Sequence, residues 1–444
     1  MFIASDLSWA QVHLLISSFS LRATSFTKRK VAGWAAFHSG GVDFLIPAIL
    51  KGKGSYNPGR NIEAMTNRNV DVAIVGAGIV GLAHAYLAAR SGRSVAVFER
   101  NPSARGASIR NFGMIWPIGQ PAGPLHEIAL RSRELWLEIL QQASFPFFQT
   151  GSLHVAYRDD EAAVAKEFAE KAAALGYDCD WIGPQEVLAR SSAVRSDGLL
   201  GALWSPTEVT MNPRQVVSSL PKFLSDRYGV QFYFNTAVQK VEESAVYAAD
   251  LRWNAKTIIV AAGDDFQTLF PESFRDPGLT RCKLQMMRTV PQPQGWKLGP
   301  SLAFGLTFKH YPTFQVCSTL QALKDRISRE TPELEGWGIH VMVSQTPQGE
   351  LIIGDSHEYG LAVDIFDKPT INRLILNYAK GYLRAPTMEI AEEWHGVYAK
   401  HTEHGYMRSN PAVGVYVITV TSGIGMTVAF GLAEQTFRET SAAA

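Results

Sequence analysis

The chain has 444 residues, with 42 Lys and Arg against 41 Asp and Glu, a balance that offers no electrostatic footprint for a nucleic-acid backbone or an anionic membrane. Its hydrophobic content of 46% and its 37 aperiodic glycines exclude a disordered or collagen-like chain, and its length suits two domains sharing one interface. Cys179, Cys282 and Cys317 form no C-x-x-C pair, and no His/Cys cluster has metal spacing, so a reducing cytoplasmic setting, a small-molecule substrate and no metal are expected.

Residues 1–64 differ from the rest. They carry Arg22, Lys28, Arg29, Lys30, Lys51, Lys53 and Arg60 against only Asp6, Asp43 and Glu63, a bias like that of a transit peptide, without the apolar core or cleavage site of a secretory signal. Met65 lies just before the first strand, so this extension is read as disordered or as an overlong start; a genuine leader would point to the mitochondrion.

Val70 to Val75 is a short β-branched run, followed by Gly76-Ala77-Gly78-Ile79-Val80-Gly81 and a helical pattern from Leu82 to Arg90. In a strand–loop–helix unit of this kind Gly76 makes the tight turn, Gly78 lets the backbone approach a pyrophosphate, and Gly81 lets the helix pack on the strand. A second strand, Ser94 to Phe98, ends at Glu99, where a carboxylate binds both ribose hydroxyls and disfavours a 2′-phosphate. The fingerprint alone does not separate NAD from FAD.

Helices are expected over 125–142, 160–174 and 370–383, and strands over 281–290, 339–346 and 350–353. The strand ending at Ala261-Ala262-Gly263 exposes small residues where a backbone passes close to a ligand. Val415 to Val420 reads as a buried strand, and Gly423-Ile424-Gly425 opens a helix whose free N–H groups suit an anionic oxygen. The uncharged stretch between Arg408 and Glu434 is long enough for a membrane span, but Thr419, Thr421, Ser422, Gly423, Gly425 and Thr427 interrupt it, so no span is expected.

The segment Gly106-Ala107-Ser108-Ile109-Arg110-Asn111-Phe112-Gly113-Met114 resembles the D-amino-acid oxidase and glycine oxidase superfamily. Thr257 to Gly263, Gly354-Asp355-Ser356-His357-Glu358 and Ser422 to Ala429 match its pattern in order, so the resemblance runs from Val70 to Phe437. It implies an α/β fold: a Rossmann-like FAD-binding domain interleaved with an α+β substrate domain carrying an antiparallel sheet, of the D-amino-acid oxidase or glutathione-reductase-2 type. The expected FAD-binding pieces are 65–108, 206–272 and 409–437; the substrate domain and interface are 109–205 and 273–408.

The resemblance places FAD against Ala107, Ser108, Asn111, Phe112, Gly113, Met114, Ala262 and Gly263, and the flavin O2 edge against Gly423, Gly425, Met426 and Thr427. Arg100 and Val238 complete the expected cofactor set. Some relatives hold FAD covalently through a cysteine on the W-x-G-x-Y strand; Trp394-His395-Gly396-Val397-Tyr398 has none, so the FAD is expected to dissociate.

Amine oxidation by flavin needs the C–H bond placed over the ring in a water-poor pocket, and no side-chain acid or base is obligatory. The pocket does need an anchor for the far end of the substrate. Arg110, His357, His395, Lys283 and Arg288 are the available cations, and Arg110, His357 and His395 are the expected anchors, with packed or solvated histidines the alternative. Arg110 to Gly123, with Gly354 to Gly360, resembles a subgroup associated with 2-aminoethylphosphonate catabolism, which implies an N-methylated aminoalkylphosphonate as substrate. Glycine, sarcosine or a D-amino acid is the alternative, as is a flavin-bearing protein without turnover. The electron acceptor is O2 or another molecule; Leu351-Ile352-Ile353 lacks the lysine of some sarcosine-oxidising relatives, which leaves rapid reaction with oxygen in doubt.

Overall fold

Val72 and Ile74 turn to one side of the strand Asn67–Val75 and Ala73 to the other, the alternation of a strand covered on both faces. The computed structural model describes residues 67–442, so the expectations for residues 1–64 lie outside the described residues. Asn67–Val75 runs parallel to Val95–Phe98 on one side and to Leu251–Val260 on the other. Gln231–Tyr233 and Val415–Val420 extend the parallel set. Two antiparallel additions complete eight strands: the meander Val238–Glu242 and Ala245–Ala248, and the hairpin partner Tyr406–Ala412.

Helices Ile79–Arg90, Pro124–Gln142, Pro213–Tyr228 and Gly425–Ala442 cover the Val72/Ile74 face. Leu82, Trp136, Leu220 and Phe430 are wholly buried there, each stabilising the fold by about 1.5–3 kcal/mol. On the opposite face Phe98 meets Trp253 edge-on at 5.3 Å.

The second sheet has nine strands. Leu279–Thr289 pairs along its whole length with Ile390–His401, and also with Leu351–Gly354 and Glu358–Gly360. Met342–Gln345, Ser301–Ala303, Ser152–Ala156, Gly201–Ser205 and Asp180–Ile182 follow in order, antiparallel except where Ser301–Ala303 runs parallel to Ser152–Ala156. The first sheet draws its strands from 67–98, 231–260 and 406–420, the second from 152–205 and 279–401, so the chain crosses between them repeatedly. The fold is the expected α/β class, with one mixed sheet, one largely antiparallel sheet and a small antiparallel sheet of Met114–Ile115, Val209–Met211 and Phe147–Phe148.

The segment 306–336, for which the sequence suggested no element, contains the helices Leu306–His310, Leu320–Glu330 and Pro332–Gly336. The uncharged stretch after Arg408 is strand, turn and helix, and no described helix is long and apolar enough to cross a membrane.

Candidate functional site

The carboxyl ends of the parallel strands, at Val75, Phe98 and Ala261, open into a cavity of about 370 Å³ that continues beneath the second sheet to Met286, Met342 and Gly396. This is where open α/β sheets bind ligands. Gly76 (φ 101°) turns the chain out of the first strand, where a β-carbon would strike the Ala261 carbonyl; a β-carbon on Gly81 would strike the Gly76 carbonyl. Gly81 therefore lies off the cavity and acts by letting the helix approach, the role its spacing predicts.

Gly78 gives no side-chain cap to helix Ile79–Arg90, and Ile79 N–H donates to Ser108 Oγ at 2.9 Å. Gly78, Ile79 and Val80 line the cavity, so the first turn presents backbone N–H groups to it. Glu99 Oε2 accepts from Ala77 N–H at 3.0 Å and Oε1 from Asn101 N–H at 2.9 Å, tying the glycine loop to the end of the second strand. Oε1 also accepts from Asn101 Nδ2 at 2.9 Å, so the spare lone pair for a hydroxyl donor is on Oε2. Arg100, at the rim, pairs with Asp265 at 2.8 Å.

Ala107, Ser108, Arg110, Phe112, Met114 and Val238 line the cavity, as do Ala262, Gly263, Gly423, Gly425, Met426 and Thr427. Asn111 lines it too, but its amide is spent on its own loop: Nδ2 donates to Ala107 O and Ser108 O, and Oδ1 accepts from Gly113 N–H. Gly113 lies off the cavity, packed against the Met211 carbonyl. Thr427 Oγ1 accepts from Trp116 N–H at 3.0 Å, fixing the last helix to the cavity wall.

Of the expected anchors, Arg110 and His357 line the cavity and His395 does not. His395 precedes the cavity-lining Gly396 on the long strand, and strand alternation turns its ring to the other face, where Nδ1 lies 2.8 Å from Asp367 Oδ1. Lys283 pairs with the same Asp367, and Arg288 with Glu350 and Glu392. Arg110 donates to the His395 carbonyl at 3.1 Å.

The fold adds residues that the sequence reading did not single out. His310, Tyr311 and His340 join Asp355 and His357 at the end of the cavity under the second sheet. His310, His340 and His357 bring ring nitrogens within 4.8 Å of one another, although in sequence they stand at no recognisable ligand spacing. Asp355 Oδ1 lies 3.1 Å from His340 Nε2, and burial drives the Asp355 carboxyl well above its ordinary range and the His340 imidazole well below its own. Burial also lowers His357 to about 4, against which its hydrogen bond to Gly338 O acts. Cys179, Cys282 and Cys317 are buried, and none lines the cavity.

A glycine-loop cradle on a parallel sheet, continuous with a histidine-walled chamber, is the arrangement of a dinucleotide-binding protein. The chain belongs to the FAD dependent oxidoreductase (DAO) family, whose model matches residues 71–438. Glycine oxidase of Geobacillus kaustophilus is 24% identical over 211 residues, 45% of this chain and 55% of that protein. D-amino acid dehydrogenase 2 of Ralstonia nicotianae is 27% identical over 277 residues, 48% of this chain and 65% of that one. The chain thus spans between half and two thirds of the curated relatives it matches. The crystal structure of the Geobacillus kaustophilus glycine oxidase superposes with a TM-score of 0.66 at 18% identity, over 84% of this chain and 95% of that one. The cradle fits the family's cofactor: a helix start for a pyrophosphate, a carboxylate for a ribose, and small residues where a planar ring must pass.

Proposed function

We propose that this protein is an FAD-dependent amine oxidase or dehydrogenase acting on the C–N bond of an amine that carries an acid group. The observation that carries this reading is the single cavity joining the FAD cradle to a chamber lined by imidazoles and Arg110. Bound FAD supplies the two-electron oxidant. The chain's own residues do the rest. The Ile79 helix start, Glu99 and the Gly423–Thr427 turn hold the cofactor, Arg110 offers a fixed cation to the acid group, and Met286, Met342 and Phe112 keep water from the reacting carbon. Loss of a hydride from the carbon next to nitrogen leaves an iminium, which water converts to a carbonyl compound and a free amine.

The finer proposal is an N-methylated aminoalkylphosphonate, giving phosphonoacetaldehyde and methylamine, supported by the Arg110–Gly123 and Gly354–Gly360 segments. A second reading, glycine, sarcosine or a D-amino acid, is supported by the activities that the two curated relatives are named for. Anaerobic bleaching of the flavin by N-methyl-2-aminoethylphosphonate, against sarcosine, glycine and D-alanine, separates them. Bleaching by the carboxylates alone sinks the phosphonate, and bleaching by none leaves a flavin-binding protein without turnover.

A further inference from the structure

Three imidazoles stack in one wall of the chamber. His310 lies on His340 with centroids 3.7 Å apart, and His357 lies 5.1 Å from His340 and 4.6 Å from His310. The interplanar angles of 29° and 19° at His340 leave the rings close to parallel. His310 is open to the cavity although protein surrounds it, so whatever enters the chamber meets it first.

The hydrogen bonds decide what this wall offers. His357 Nδ1 faces the Gly338 carbonyl at 2.9 Å and must donate to it, which leaves Nε2 as a bare lone pair in the neutral ring. Gly338 keeps this contact close, since a β-carbon there would come within 2.9 Å of His357 Cβ. His340 Nδ1 has no hydrogen-bond partner among the described residues, and Asp355 Oδ1 faces His340 Nε2 at 3.1 Å. An anion needs N–H donors, and protonation alone turns His357 Nε2 into one.

We propose that His310, His340 and His357 form an anion subsite that fills by proton uptake, the acid group of the ligand and a solvent proton arriving together to give an imidazolium–anion pair. This rests on the acid-bearing amine reading above. The titratable groups facing the cluster are Asp355, His154, Lys400, Tyr311 and Tyr359. Asp355 is the one carboxyl among them, and burial favours its neutral form. Burial, with the neighbouring imidazoles and Lys400, keeps the rings neutral until an anion supplies the counter-charge. Affinity therefore weakens about tenfold per pH unit for each proton taken up, whereas an anion held by the Arg110 guanidinium alone would bind without pH dependence.

The probe is propane-1-sulfonate, whose charge is constant across neutral pH and which has no amine to oxidise. It is titrated into FAD-loaded protein by calorimetry in two buffers of different ionisation enthalpy, with flavin absorbance as a second readout. Buffer-dependent heat equivalent to about one proton or more per ligand is expected. The accompanying rise in Kd with pH is lost in His357→Asn, with His310→Gln as a companion should that variant not fold. Absent binding, or a Kd independent of pH and buffer in the unaltered protein, overturns the subsite. Proton-linked sulfonate binding where no amine bleaches the flavin keeps the subsite and refutes the proposed function; amine bleaching with pH-independent sulfonate binding does the reverse.

Discussion

Glu99→Ala tests whether the second strand controls the cofactor cradle. The carboxylate accepts from Ala77 N–H at 3.0 Å and from Asn101 N–H and Nδ2 at 2.9 Å each, so it fastens the glycine loop on one side and the following turn on the other. A hydrogen bond to a charged acceptor contributes about 1.5–3 kcal/mol, and these part-buried amides take the lower figure because water can replace the lost partner. Two backbone contacts then amount to about 3 kcal/mol of loop order, which the variant must restore on binding FAD. At about 1.4 kcal/mol per tenfold, FAD affinity falls roughly 100-fold, before any ribose contact is counted. Glu99→Gln keeps one acceptor oxygen and should lose about tenfold. The assay is fluorescence titration of FAD into apoprotein. An alanine variant whose Kd stays within about threefold of the unaltered protein would refute the reasoning.

Gly81→Ala drives a β-carbon into the Gly76 carbonyl, so overpacking of about 1–3 kcal/mol should weaken FAD binding some 5- to 100-fold and lower Tm; an unchanged Tm and Kd would show that the helix can shift away. His154 is fully buried, neither ring nitrogen has a hydrogen-bond partner among the described residues, and burial lowers its pKa to about 3. The unfolded chain takes up this proton first as pH falls below about 6.5, so His154 costs stability progressively from there towards pH 3, at about 1.4 kcal/mol per pH unit. His154→Phe should remove that loss, gaining about 1.4 kcal/mol at pH 5.5 relative to its difference at pH 8; parallel stability–pH curves from denaturant melts would contradict this. Because no cysteine lines the cavity, acid precipitation should release all the flavin to the supernatant, and pigment left in the pellet would indicate a covalent bond through another residue.

The glycine loop, Glu99 and the closing Gly423–Thr427 turn were legible in the sequence because each depends on local geometry: a turn that only glycine makes, a strand end, a helix start. The amphipathic helix Leu320–Glu330 left a readable trace in Leu320, Leu323 and Ile327, all buried on one face, yet the short helices beside it carry too few turns to show a period. His395 shows the limit of motif reading, since it sits in the expected strand and faces the wrong way by one residue. A strand's side chains alternate between faces, and which face meets the cavity is set by the pairing of Ile390–His401 with Leu279–Thr289.

The sequence by itself determined the fold class and the family and marked the separate pieces of the cofactor cradle, because each piece is written in residues close together along the chain. The histidine wall was decided only in three dimensions. His310 ends a five-residue helix, His340 precedes one strand and His357 follows another, and nothing in the spacing between them signals contact. Pairing between distant strands brings their rings together, and burial among other rings, rather than any local pattern, sets their charge.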